Sequence, residues 1–183
     1  VDVGCQHPIK NNNTYLLYKK GWSGINIDLD KVNIDLFNYH RPKDYNFNFA
    51  ISDKKEEVDL FYYHQKSPIN TLDKAVSDKQ SSTPEKILKV KTETLTDIIE
   101  KTSITNIDIL SIDVEGYELK VLKGLDFERY KPKLIITELL DLTAAKWEIP
   151  YNKLDNVVNS EIYKFMILKN YKLVNWINGD LIF

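Results

Sequence analysis

Short runs of apolar and β-branched residues alternate along this chain with longer stretches of helical spacing, the pattern of a parallel sheet covered by helices. Residues 1–3 (VDV) read as the end of a first strand, and 24–28 (GINID), 46–51 (NFNFAI), 107–113 and 134–138 as four more. Helical spacing predicts helices over 14–20, 32–39, 95–101 and 117–122. Gly21 terminates the first of these and Arg41-Pro42 the second. Leu16, Leu17 and the flanking tyrosines form the expected apolar face of that first helix, with Trp22 packed between helix and sheet. A helix over 154–169 leads into a strand over 171–177, and Asn178-Gly179 signals a tight turn into 181–183. Together these elements predict an α/β, Rossmann-like fold whose mostly parallel sheet ends in an antiparallel hairpin.

The alternation lapses between 58 and 90. Strand-like runs at 58–63 and 87–91 flank a polar stretch, 64–85, whose middle (SDKQSSTPEK) is serine-rich and charged. That composition predicts an excursion from the sheet with a mobile surface loop at its tip. The chain then reads as a single domain over 1–183, with 64–86 a variable surface excursion. Because Val1 already sits in a buried-strand pattern, native residues are expected before it.

Composition narrows the partners. With 25 Lys+Arg against 27 Asp+Glu and a formal charge of -2, no global positive field favours nucleic acid or an anionic membrane surface. No apolar run approaches the roughly 18 residues of a transmembrane helix. The single cysteine, Cys5, excludes an internal disulfide and a multi-cysteine zinc site, and points to a reducing compartment, the cytoplasm.

In an open α/β sheet ligands bind beyond the carboxyl ends of the strands, and every chemically interesting residue falls there. Asp2-Val3-Gly4 closes the first strand, Asp28 the second and Ser52-Asp53 the third; Asp113-Val114-Glu115-Gly116 and Glu138 close the next two. Gly4 suits a tight turn beneath a nucleoside, although an ordinary strand-to-helix turn would also use it. Asp28 is placed to accept hydrogen bonds from both hydroxyls of a ribose. The loop VDVGCQHP lacks the later glycines of GxGxxG, which counts against a pyrophosphate-bridged dinucleotide such as NAD. Tyr15 and Lys19 match a dehydrogenase-like YxxxK spacing, but in a helix remote from where that chemistry sits. Asp113, Glu115 and Glu118 bring like charge into one turn, which is costly unless a cation, donors or water meets it. Attraction to the helix N-terminus accounts for one of the glutamates and leaves Asp113 unexplained.

VDVG, NTYLLYKKGWSGINID, AISD, IDILSIDVEGYELKVLKG and KPKLIITE, in this order, resemble the FkbM family of S-adenosylmethionine-dependent methyltransferases. The likeness runs from Val1 to about Glu138, with an echo in the terminal hairpin. It implies the methyltransferase variant of the Rossmann-like fold and transfer of a methyl group to a hydroxyl, on a small-molecule acceptor such as a sugar or glycan. Asp2, Gly4 and Cys5 would then lie near the amino acid part of S-adenosylmethionine, Asp28 on its ribose and Ser52-Asp53 beside its adenine. Cys5-Gln6-His7-Pro8 stands where such enzymes often carry further glycine. Asp113 and Glu115 are the candidate general bases, with His7 and His64 behind them. Glu138, Glu118, His64 and Trp147 are the candidate acceptor contacts, with Tyr62, Tyr63 and Tyr151. Asp113 and Glu138, on adjacent strands, could hold Mg²⁺ or Ca²⁺ or act without metal. Two rivals stay open: a nucleotide-sugar or NAD-dependent oxidoreductase, and a non-catalytic glycan- or protein-binding module.

Overall fold

A computed structural model describes residues 1–140, 154–177 and 179–183. In chain order its elements are β1 (Asp2–Val3), α1 (Tyr15–Lys19), β2 (Ile25–Asp28), α2 (Lys31–His40), β3 (Tyr45–Asn48), β4 (Ala50–Ser52), β5 (Glu57–Tyr62), α3 (Lys74–Ser77) and β6 (Lys86–Thr94). There follow α4 (Leu95–Glu100), β7 (Ile109–Ile112), α5 (Glu118–Lys123), β8 (Leu134–Glu138), α6 (Leu154–Asn159), α7 (Glu161–Leu168), β9 (Asn175–Ile177) and β10 (Asp180–Ile182). Seven strands form the main sheet in the order β3-β2-β1-β7-β8-β10-β9. The first five run parallel, and β10 lies antiparallel between β8 and β9. This is the expected α/β fold with its antiparallel C-terminal strands. Strand order reverses between β1 and β7, which makes their carboxyl ends the switch point where α/β sheets bind ligands.

Central strands are mostly apolar because helices bury both faces. Ile27, Leu110, Ile135 and Leu181 are fully buried, and α4 (Leu95, Ile98, Ile99) and α5 (Val121, Leu122) close over the sheet. The buried polar member of β2, Asn26, is satisfied across the sheet, donating to Asp44 at 3.1 Å and Asn46 at 2.8 Å. Among the described residues no helix is long and apolar enough to cross a membrane.

Several expectations need correction. The alternating run 46–51 is two strands: β3 stays beside β2, whereas β4 leaves to pair with β6 in a second sheet ordered β4-β6-β5. Period-two spacing continues through Phe49, so nothing in the pattern marks the exchange of partners. The runs at 58–63 and 87–91 are the antiparallel pair β5 and β6 of that second sheet. The helix over 154–169 breaks at Ser160, whose extended backbone (ψ 149°) and side chain cap α7 by accepting from the Tyr163 amide. Strand β9 is only the last part of 171–177.

The first helix has no buried face: Leu16 is 69% and Trp22 44% exposed. Its anchor is Arg41, buried at 1% exposure, whose guanidinium stacks on Tyr15, Tyr18 and Phe37 at 5.7, 5.2 and 4.9 Å. The same group donates to the Pro8 carbonyl, to Thr14 Oγ1 and to Asn12 Oδ1, tying the loop after β1 to the end of α2.

Candidate active site

A cleft of about 730 Å³, counted with its open mouth, lies at the switch point. Gly4 forms its base. The Gly4 and Cys5 amides both donate to the Ile27 carbonyl, at 2.9 and 3.1 Å, which folds the chain sharply over the end of β2. Gly4 takes φ +78°, and a Cβ there would stand 1.7 Å from the Asp113 carbonyl oxygen. Only glycine permits both the left-handed turn and that approach of β1 to β7.

On one side stands Asp28, 8% exposed. Its Oδ2 accepts from the Gln6 amide at 2.8 Å and its Oδ1 from the Asp30 amide at 2.7 Å and Asn33 Nδ2 at 3.2 Å. Burial pushes the carboxyl up to about 6 against the pull of these donors. Oδ2 keeps a lone pair for a further donor, whereas both lone pairs of Oδ1 are engaged. Beside it, Ile27, Leu29, Phe49 and Ile51 give an apolar wall. A fixed carboxylate next to a flat apolar slot, above a base without a side chain, fits a ribose-bearing nucleoside.

On the other side the turn after β7 carries Asp113, Glu115 and Glu118, and Glu138 ends β8. Carboxylate oxygens of Asp113, Glu115 and Glu138 lie within 4.8 Å of one another. Asp113 is exposed at the mouth, yet the desolvating strand ends, then Asp180 and Asp2, raise its carboxyl to about 6. Burial, then Asp113 and Glu118, pushes Glu115 to about 8. Burial, then Asp113 and the other acids, pushes Glu138 to about 9, and its Oε2 is buried without a hydrogen-bond partner. Asp180 enters because β10 pairs it directly with Glu138. Glu118, expected at the acceptor, is not on the cleft. It is 3% exposed and accepts from the Val114 and Gly116 amides of its own turn, all at 3.0–3.1 Å. Burial outweighs these donors and raises it to about 7.

The other candidates are less central. Asp2 lies below the cleft, accepting from Asn12 and Thr14. Cys5 is buried against Ile34 and Phe37. Ser52 is fully buried, with its hydroxyl on Asp53, and the wall at this point is Phe49, Ala50 and Ile51. His7 turns Nδ1 to the Ile9 and Lys10 amides, both at 3.1 Å, so its ring caps a loop. His64 is exposed, with Nδ1 on the Gln65 carbonyl. Tyr63 is buried, its hydroxyl on Ser77. Trp147, Tyr151 and Asn178 lie outside the described residues.

The polar stretch supplies what sequence reading missed. Ser67, Asn70 and Thr71 are buried, and Ser67, Pro68, Asn70 and Leu72 line the cleft. The segment is pinned at both ends: the Lys66 amide donates to Asp30 Oδ2 at 2.5 Å, and Thr71 Oγ1 donates to the Glu115 carbonyl at 2.6 Å. Asn70 holds it between these points, accepting from the Tyr63 amide and donating to the His64 carbonyl. Gln6 and Asn33 also escaped notice. Asn33, three residues after the helix cap Asp30, was the more legible of the two.

Residues 2–173 match the family model described as the Methyltransferase FkbM domain. No curated protein and no solved structure matches the chain.

Proposed function

The chain belongs to the FkbM methyltransferase family, and from that premise we propose that it binds S-adenosylmethionine in the switch-point cleft and methylates a hydroxyl of a sugar or similar small acceptor. Support comes from one convergence: a nucleoside-shaped half, Gly4, Asp28 and the apolar wall, meets a cluster of carboxyls at Asp113, Glu115 and Glu138. The lone cysteine, buried and free, suits the cytoplasm.

When bound, S-adenosylmethionine supplies an electrophilic methyl on a sulfonium sulfur. Asp28 Oδ2 would accept a ribose hydroxyl, and Ile27, Leu29, Phe49 and Ile51 would hold the adenine. Positioning of acceptor oxygen against methyl supplies much of the rate. Asp113, at the mouth and near 6, is ionised at neutral pH and takes the hydroxyl proton as the new O–C bond forms. Glu115 and Glu138, near 8 and 9, remain protonated there and donate hydrogen bonds to acceptor oxygens.

The test pairs binding with turnover. S-adenosylhomocysteine at about one hundred times its dissociation constant should stabilise the protein by roughly 2.7 kcal/mol. Radiolabelled methyl should pass to a member of a glycan panel, and Asp113→Asn should slow this by about 10²- to 10⁴-fold with S-adenosylhomocysteine still bound. Stabilisation by NAD and not by S-adenosylhomocysteine would overturn the reading.

A second reading keeps the reaction and changes the role of the acids. The spacing of the three carboxylates and the unpartnered Glu138 Oε2 suit a hard divalent cation that would polarise the acceptor hydroxyl. Exhaustive chelation with EDTA separates the two, because metal-free catalysis survives it.

A further inference from the structure

Glu115 holds a left-handed backbone, φ +55°, and Gly116 follows at φ +104°. A non-glycine residue keeps such a conformation only when its surroundings impose it. Two buried side chains hold the turn. Glu118 Oε1 accepts from the Val114 and Gly116 amides at 3.0 Å each, and Oε2 accepts from Gly116 at 3.1 Å. Thr71 Oγ1 donates to the Glu115 carbonyl at 2.6 Å, reaching across from a segment 44 positions away in sequence. Neither side chain lines the cleft.

The two anchors differ in kind. Glu118 sits on α5 and completes the turn that leads into its own helix, a role open to any carboxylate at a helix start. Thr71 also serves locally, its Oγ1 accepting from the Asp73 amide at 2.9 Å, but the proton of that hydroxyl goes outside its own segment. Its backbone pairs with Phe61 in both directions, so the second sheet is complete without its hydroxyl. That hydroxyl instead joins the segment to the acid turn, while the segment's other end, through the Lys66 amide, rests on Asp30. The Asp30 amide in turn donates to Asp28.

We propose that Thr71 and Glu118 are positioning residues that clamp Glu115 in its left-handed conformation and so hold its carboxyl against those of Asp113 and Glu138. The proposal takes the acceptor end of the cleft from the methyl-transfer reading; the clamp itself is independent of the acceptor's identity.

The test uses the full chain with ¹³C-labelled glutamate, Glu115 being assigned through Glu115→Gln. Backbone couplings and carbon shifts should report a left-handed Glu115 in the wild type and in Thr71→Ser. In Thr71→Val and in Glu118→Gln they should relax towards right-handed values. A Glu115 that stays left-handed in folded Thr71→Val would overturn the proposal, as would a Thr71→Ser variant that loses the left-handed conformation. If Glu118→Gln does not fold, the Thr71 pair decides alone. Calorimetry with S-adenosylhomocysteine runs beside these measurements: no binding by the wild type would refute the cofactor reading and leave the Glu115 result standing.

Discussion

Gly4→Ala isolates the contact that brings β1 against β7, and Gly21→Ala is its internal control. Both glycines take left-handed backbone, φ +78° and +88°, so alanine meets the same conformational objection at each. That objection is about 1–2 kcal/mol, partly offset by roughly 0.4–1 kcal/mol from the stiffer unfolded chain. Around Gly21 nothing lies within 4 Å of the added methyl, so its net cost should stay near 1 kcal/mol. At Gly4 the methyl would meet the Asp113 carbonyl oxygen at 1.7 Å and its carbon at 2.7 Å. Neither is the yielding tip of a side chain; both belong to the backbone leaving β7, so relief requires the two strand ends to part. Overpacking of this kind adds about 1–3 kcal/mol, for a total of roughly 2–4 kcal/mol at Gly4. Urea unfolding of the two variants, with the slope held common, gives the difference directly. The Gly4 variant should also lose S-adenosylhomocysteine affinity in calorimetry, because the same movement opens the base of the cleft. Equal destabilisation by the two substitutions would refute the argument that close approach, and not backbone conformation alone, demands glycine at position 4.

Glu115, Glu118 and Glu138 hold their protons more tightly folded than unfolded, at about 8, 7 and 9 against 4.5. Their stabilising contribution is therefore complete below about 4.5 and is lost as pH climbs through those higher values. Melting of the ligand-free protein should accordingly occur at lower temperature at pH 9 than at pH 6, and Glu138→Gln should flatten that slope; a melting temperature that rises steadily across the interval would contradict it. The rate of methyl transfer should rise with pH through about 6 as Asp113 ionises, and Asp113→Asn should abolish that limb of the profile. Arg41→Met should cost about 3 kcal/mol in urea unfolding, because it leaves the buried Pro8 carbonyl without its donors and removes the positive charge near buried Asp2. A loss under 1 kcal/mol would mean that stacking on the tyrosines, and not the charge, is what Arg41 supplies.

The sheet was legible because its signal is local. Each central strand is buried on both faces and so reads as a compact apolar run, and each acid at a strand end is displaced from that run by one position. Ile109–Ile112 with Asp113 just after it, and Leu134–Glu138, are both of this kind. What stayed hidden depends on partners. Nothing in NFNFAI distinguishes a strand that keeps its neighbour from one that exchanges it, since alternation is the same in both sheets. Arg41 looks like a helix-ending surface residue until three aromatic rings from α1 and α2 are seen around it. The stretch after Tyr63 has the composition of a solvated loop, and Asn70 and Thr71 fit that composition as well as any. Asn70 is buried on the backbone of Tyr63 and His64 nearby, whereas Thr71 finds the Glu115 carbonyl, a pairing that no window of sequence contains.

The same contrast sorts the acids of the IDVEGYE turn, which sequence alone presents as one cluster. Glu118 is the most buried of them and the best satisfied, its oxygens on the amides of Val114 and Gly116, so its environment accounts for it completely. Asp113 and Glu138 are less buried and worse satisfied: one is exposed beside Asp180, and the other leaves Oε2 without a donor. Packing gives no reason to bring carboxyls within 4.8 Å of each other at the mouth of a cleft, and burial first, then neighbouring acids, raises each one's proton affinity. A fold tolerates such unrelieved repulsion where a ligand's donors or cation will relieve it. Burial and unmet hydrogen-bonding capacity thus point in opposite directions among these acids of the turn and of β8, and unmet capacity marks the ones left open to a ligand.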